Sequence, residues 1–157
     1  MNDYQHKVRL LISAIFVLAS LIILIDYLFP GRTINDTIIS LKKERQQYYN
    51  AAGNHHYTYQ VITSEHQFWI EAEHAAIAEG NVKIEYAISR IFNEVNWYKL
   101  HSSEKRATYF LRTLSGLVIP LLTIVTILAA AYFKKNISTL IFVFQVMLIA
   151  DLIFLMR

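Results

Sequence analysis

The apolar positions of this chain fall into three long blocks, separated by a stretch in which apolar and polar residues alternate. Leu10 to Leu28 contains one charge, Asp26, while residues 113–133 and Ile137 to Ala150 contain none. A run of about 20 mainly apolar residues is long enough, as a helix, to cross a bilayer core of about 30 Å. The blocks therefore predict membrane-spanning helices at 10–29, 109–133 and 137–156. The last two form a hairpin around the basic turn Lys134-Lys135-Asn136. Pro30-Gly31 predicts a sharp end to the first helix, because proline cannot continue a helix and glycine tolerates the turn. The apolar core of that helix exceeds the ~7–15 residues of a signal peptide, so an uncleaved anchor is expected over a cleaved leader.

The intervening segment has a different period. Val82, Ile84, Tyr86 and Ile88 alternate with Lys83, Glu85 and Ala87, the clearest strand in the chain. Tyr57, Tyr59 and Val61 alternate with Thr58, Gln60 and Ile62. Ser64-Glu65 then reads as a hairpin tip and Gln67 to Ile70 as the returning strand. Thr37 to Leu41 suits a short strand, and Lys42 to Gln47 suits a helix or a solvated link. Glu71 to Glu79 predicts a short helix closed by Gly80-Asn81, Gly53-Asn54 marks a turn, and Ile91 to Tyr98 is a further extended run. The expected fold is a membrane protein. A polar tail (1–9) precedes three transmembrane helices, with a small β-rich α+β module (31–106), SH3-like or a partly open barrel, between helices 1 and 2. About 70 residues is small for an independent core.

Composition sharpens this picture in three respects. The chain has 157 residues, 55% of them hydrophobic, which suits one unit better than several soluble domains. Segment 31–108 carries nine Lys/Arg and nine Asp/Glu, so the net charge of +3 comes from the helical blocks and their flanks. A neutral module argues against nucleic-acid binding, which requires a basic stripe. The absence of cysteine excludes disulfides, thiolate metal sites and cysteine nucleophiles.

Lys7, Arg9, Lys134 and Lys135 fall on one side of the membrane, which the positive-inside rule makes cytoplasmic. The module is then extracytoplasmic. The basic residues at the ends of 31–108 count the other way, but that segment is longer than the ~60 residues over which the rule holds.

Asp26, Arg112 and Asp151 are the charges within the apolar blocks and the expected intramembrane polar contacts. Asp26 lies 16 residues after Leu10 and Asp151 lies 16 after Lys135. Both are thus about 24 Å along their helices, with Arg112 about 9 Å further out. Arg112 is expected to reach outward to headgroups. The two aspartates are expected to face each other, a cation or a partner. Pro120 predicts a kink that frees a carbonyl near Gly116. Ser115, Gly116, Thr123 and Thr126 offer a small, polar surface for close helix packing. Trp97, Tyr98, Tyr109 and Phe110 suit the headgroup layer, with Trp97 equally suited to the module's core.

Other chemistry is thinly represented. His55, His56, His66, Glu71, Glu73 and His74 are metal-ligand types without the spacing of a zinc signature. No phosphate loop or nucleophile elbow is present, and no cofactor is expected. Two glycosylation sequons, at Asn35 and Asn136, match a pattern common by chance.

The runs Tyr59-Gln60-Val61-Ile62-Thr63, Glu79-Gly80-Asn81-Val82-Lys83-Ile84 and Ser89-Arg90-Ile91-Phe92-Asn93-Glu94-Val95 carry a resemblance over residues 55–98. This part of the chain resembles uncharacterised small bacterial inner-membrane proteins with a compact β module between membrane helices. The resemblance implies a bacterial envelope protein and no particular chemistry. The expected role is a non-enzymatic accessory or interaction subunit, with the lipid bilayer and another membrane protein, or a second copy, as partners. An ion- or proton-linked protein using Asp26 and Asp151 is one alternative, and a metal-dependent enzyme using the histidines is another.

Overall fold

The computed structural model describes residues 3–47, 55–78, 82–103, 105–133 and 138–156. The turns expected at Gly53-Asn54, Gly80-Asn81 and Lys134-Lys135-Asn136 lie outside the described residues. The chain divides into two compact units, Met1–Phe29 with Thr113–Arg157, and Pro30–Arg112.

The first unit is helical. It contains α1 (Asp3–Leu28), α4 (Ile119–Phe133) and α5 (Ser138–Leu155). A short α3 (Phe110–Thr113) and a π-helical turn (Leu114–Val118) lead into α4. Three helical stretches, Lys7–Leu28, Phe110–Phe133 and Ser138–Leu155, are long and apolar enough to cross a membrane. They coincide closely with the expected blocks, and α1 extends back into the tail. α4 packs against both α1 and α5, which touch each other only sparsely.

Burial in this unit is inverted relative to a water-soluble bundle. Ser20, Asp26, Ser115, Thr123, Thr126 and Asp151 are buried, while Leu11, Ile15, Leu18, Val125, Leu128 and Phe142 are exposed. Hydrocarbon gives apolar side chains no reason to hide, so small and polar groups share the packing with a few aliphatic residues such as Ile23 and Leu148. Two of these hydroxyls bond within their own helices. Ser20 Oγ donates to the Phe16 carbonyl at 2.8 Å, and Thr123 Oγ1 donates to Ile119 at 2.9 Å.

The second unit holds two three-stranded antiparallel sheets. β1 (Arg32–Thr37), β5 (Lys83–Ile88) and β6 (Val95–Leu100) form one, in the order β1-β5-β6. β2 (Ser40–Gln47), β3 (His55–Ile62) and β4 (Gln67–Ile70) form the other, in the order β2-β3-β4. The chain crosses between them at Ile38-Ile39. There Ile38 N–H donates to Val82 of one sheet's approach at 3.0 Å, and Ile39 N–H donates to Ile62 of the other at 2.9 Å. The element order therefore departs from expectation over 32–47. The expected Thr37–Leu41 strand is instead interrupted at Ile38-Ile39, with Ile38 in the core, Thr37 ending β1 and Ser40-Leu41 opening β2, and Lys42 to Gln47 is strand where a helix or link was considered.

The core follows the alternation closely. Ile84, Tyr86 and Ile88 from β5 meet Val61, Phe68 and Ile70 from the other sheet, together with Tyr98 and Leu100. The expected 71–79 helix shrinks to one turn, α2 (Ala72–Ala75), whose Ala75, like Ala78 just beyond it, enters the core. Phe92 falls in the turn before β6, where Asn93 adopts φ 61°. Asparagine tolerates this left-handed conformation better than most residues.

Two tyrosines link the polar and apolar parts of this core. The Phe68 ring lies 5.0 Å from that of Tyr86 and 6.1 Å from that of Tyr98. Tyr98 OH accepts from the Glu71 N–H at 3.0 Å and lies 3.4 Å from His74 Nδ1. Burial pushes the Tyr98 hydroxyl up to about 12, against the smaller opposing effect of the Glu71 N–H. The unfolded chain ionises this group near pH 10. The raised value therefore stabilises nothing extra at neutral pH, and stability falls as pH climbs from 10 through about 12. Circular dichroism against pH should show alkaline unfolding in that window. In Tyr98→Phe the transition should move to higher pH, while neutral-pH stability drops by about 1 kcal/mol through the lost hydrogen bond.

Candidate functional site

Two polar features stand out from the packing, one in each unit. In the helical unit, Ser20, Ile23 and Asp26 recur at a spacing of three along α1 and are all buried. Residues three and four apart share a helix face, so Asp26 continues a packed stripe. Asp26 is 2% exposed and Asp151, on α5, is 6% exposed. Both expected intramembrane aspartates are therefore interior to this unit.

Helix packing beside Asp26 depends on Gly116. A Cβ built there would lie 2.7 Å from Tyr27 Cγ, closer than real contacts allow, and 3.0 Å from Tyr27 Cβ. The Tyr27 hydroxyl lies 3.4 Å from Thr113 Oγ1. Pro120 is buried, and the π turn lies immediately before it. The Ile119 N–H bonds to the Leu114 carbonyl, five residues back. The ladder thus widens before the missing proline N–H is reached, a local answer to the break expected at Gly116.

Arg112 corrects an expectation. Its guanidinium is buried against protein, where headgroups were expected. It is 5% exposed, within the β unit, and donates through Nε at 2.9 Å and Nη2 at 2.6 Å to Asn96 Oδ1 on β6. A guanidinium presents parallel donors that one carbonyl oxygen can accept together. Nothing in the sequence singles out Asn96, because the pairing joins residues 16 apart. The aromatics divide similarly. Tyr98 is core and not an interface residue. Trp97 is half-buried, with the Arg106 guanidinium 4.1 Å from its ring centroid. Tyr109 is half-buried, and Phe110 is exposed while its N–H donates to Glu71 Oε1 at 2.9 Å.

In the β unit, a groove of about 600 Å³ is lined by Asn35, Thr37, Lys83, Glu85, Lys99 and His101 among others. Strand register builds it. Asn35, Glu85 and Lys99 align in one row across β1, β5 and β6. Thr37 and Lys83 align in the next, continued by the His101 N–H to the Lys83 carbonyl at 3.0 Å. Side chains alternate across a sheet, so these rows lie opposite Ile84, Tyr86 and Leu100 in the core. Asp36 borders the groove and accepts from the Thr37 N–H at 2.7 Å and the Ser64 hydroxyl at 2.8 Å. Its slight burial pushes the carboxyl up, but these hydrogen bonds outweigh it and hold the group below its usual value.

The histidines do not assemble a metal site among the described residues, where no group of three or more suitable ligands occurs. His66 Nδ1 lies 3.1 Å from Tyr86 OH, and His74 Nδ1 contacts Tyr98 OH. Side chains of His55 and His56 lie outside the described set. The groove residues were not singled out from sequence. The alternation of 82–88 marks Lys83 and Glu85 as outward, but only the pairing with β1 and β6 brings Asn35 and Lys99 beside them.

Comparison with protein-family models, with curated proteins and with solved structures finds no match.

Gly116→Ala should lower thermal stability in detergent by about 1–3 kcal/mol, the usual cost of overpacking. Combining it with Tyr27→Ala should recover part of that loss, since the clash is with the Tyr27 ring. Unfolding followed by circular dichroism reads both effects.

Proposed function

We propose that this protein is a membrane-anchored binding subunit, an accessory or interaction component of a bacterial inner-membrane assembly. The observation that carries this reading is the groove on the β1-β5-β6 sheet, where five polar side chains from three strands are held in register over an apolar core, with His101 just beyond β6. Lys83 and Lys99 beside Glu85 give mixed charge, which complements a polar protein segment better than a single anion. Three helices of spanning length supply the anchor. The basic residues Lys7, Arg9, Lys134 and Lys135 favour a cytoplasmic N-terminus and an extracytoplasmic module. The two sheets together support the looser description of a partly open β module.

A photo-crosslinker replacing Lys99 in cells should give one discrete protein adduct, and the same group at exposed Glu73 should not. Lys83→Glu should weaken that adduct about tenfold by reversing a rim charge. Equal labelling from both positions, or an adduct indifferent to Lys83→Glu, would remove the groove as the contact surface.

A second reading rests on burial of Asp26 and Asp151 in the helical unit. Intramembrane carboxylates are costly and mark ion or proton pathways or partner contacts. Such a pathway through three helices requires an oligomer. In proteoliposomes, Asp26→Asn with Asp151→Asn should abolish proton- or cation-dependent flux; flux equal to wild type would dispose of this reading.

A further inference from the structure

We propose that a groove between the amino-terminal parts of α1 and α5 holds one anionic phospholipid, with its phosphate on Arg9. The groove measures about 370 Å³ and includes Gln5, Arg9, Ile12, Ser13, Ile141 and Gln145 in its lining. It exists because α1 packs unevenly. Its buried positions, Ser20, Ile23, Leu24 and Asp26, all lie in the second half, while Val8 to Ile12 are exposed throughout. The two helices therefore leave a gap at this end. Within hydrocarbon, such a gap fills with lipid rather than water.

The lining matches the parts of a glycerophospholipid. Gln5, Arg9 and Ser13 recur at a spacing of four, which places them on one face of α1. Arg9 lies two residues beyond Lys7, where the candidate span begins. A guanidinium pairs with phosphate through two parallel N–H groups. Ser13 lies about 9 Å from the start of its span and Gln145 about 10 Å from the start of α5, at a depth suited to glycerol ester oxygens. Ile12 and Ile141 offer an apolar wall to the chains. No acidic side chain among the described residues lines the groove, so its charge complements an anion. The surrounding surface, including Leu10, Leu11, Leu140 and Phe142, is exposed and apolar. The occupant therefore enters from the bilayer, which selects a phospholipid over a free phosphate.

The proposal rests on these helices being membrane spans and is independent of the role given to the β unit. The full chain, purified in mild detergent, is exchanged with vesicles of equal phosphatidylglycerol and phosphatidylcholine and weighed by native mass spectrometry. One phosphatidylglycerol per chain should be retained in preference to phosphatidylcholine. Arg9→Gln should reduce that retention about tenfold, as expected for loss of a charge-assisted pair, and Arg9→Lys should fall between. Ile12→Trp, which fills the apolar wall, should also reduce it, and added inorganic phosphate should not. Equal retention of both lipids, an unaffected Arg9→Gln variant, or displacement by inorganic phosphate would overturn the site. Alkaline extraction separates the two levels. Release of the protein from membranes refutes the spans themselves, whereas a pelleted protein without lipid preference refutes only the groove.

Discussion

A polar group taken out of water gains from a partner inside the protein, and in this chain that pull shapes both units. In the helices it decides what is buried. Leucine and isoleucine gain little by leaving hydrocarbon, so the buried positions of the π turn and α4 include Ser115, Thr123 and Thr126. The hydroxyls of Ser20 and Thr123 return to their own backbones four residues back, which removes any need for water. In the β unit the same pull ties Arg112 to Asn96 and brings the hydroxyls of Tyr86 and Tyr98 to His66 and His74.

The β unit solves a second problem, how a segment as short as Pro30–Arg112 can enclose a core. Splitting the strands between two sheets lets Ile38 fill the junction, while aromatic rings contribute large area from few positions. Tyr86 and Tyr98 are among the largest fully buried side chains, and each keeps its polar end occupied. The same sheet then offers its other face, with Asn35, Lys83, Glu85 and Lys99 in register, without disturbing the core.

What could be read from the sequence was what local periodicity encodes. The three apolar blocks needed only length and the absence of charge. The alternation at 82–88 identified Ile84 and Tyr86 as inward residues. Segment 32–47 was obscure because Lys42 to Gln47 is polar on both faces, so no hydrophobic pattern distinguishes strand from link. The Arg112–Asn96 pair and the groove rows were hidden for a different reason. They arise from pairings between distant segments, and register is set in three dimensions. Tyr98 was misplaced because an aromatic next to a membrane block has the same composition whether it faces headgroups or a core.

The π turn at Leu114–Val118 also sets the phase of everything after it. A π turn is an α-helix holding one additional residue. One residue corresponds to about 100° of rotation around the axis. The face that α4 turns toward its neighbours, with Thr123 and Thr126, is thus the face an uninterrupted helix would have pointed elsewhere. A shortening of this segment by one residue during evolution would leave the hydrophobicity of the span untouched. It would nonetheless swing the hydroxyls out among acyl chains and bring leucines inward.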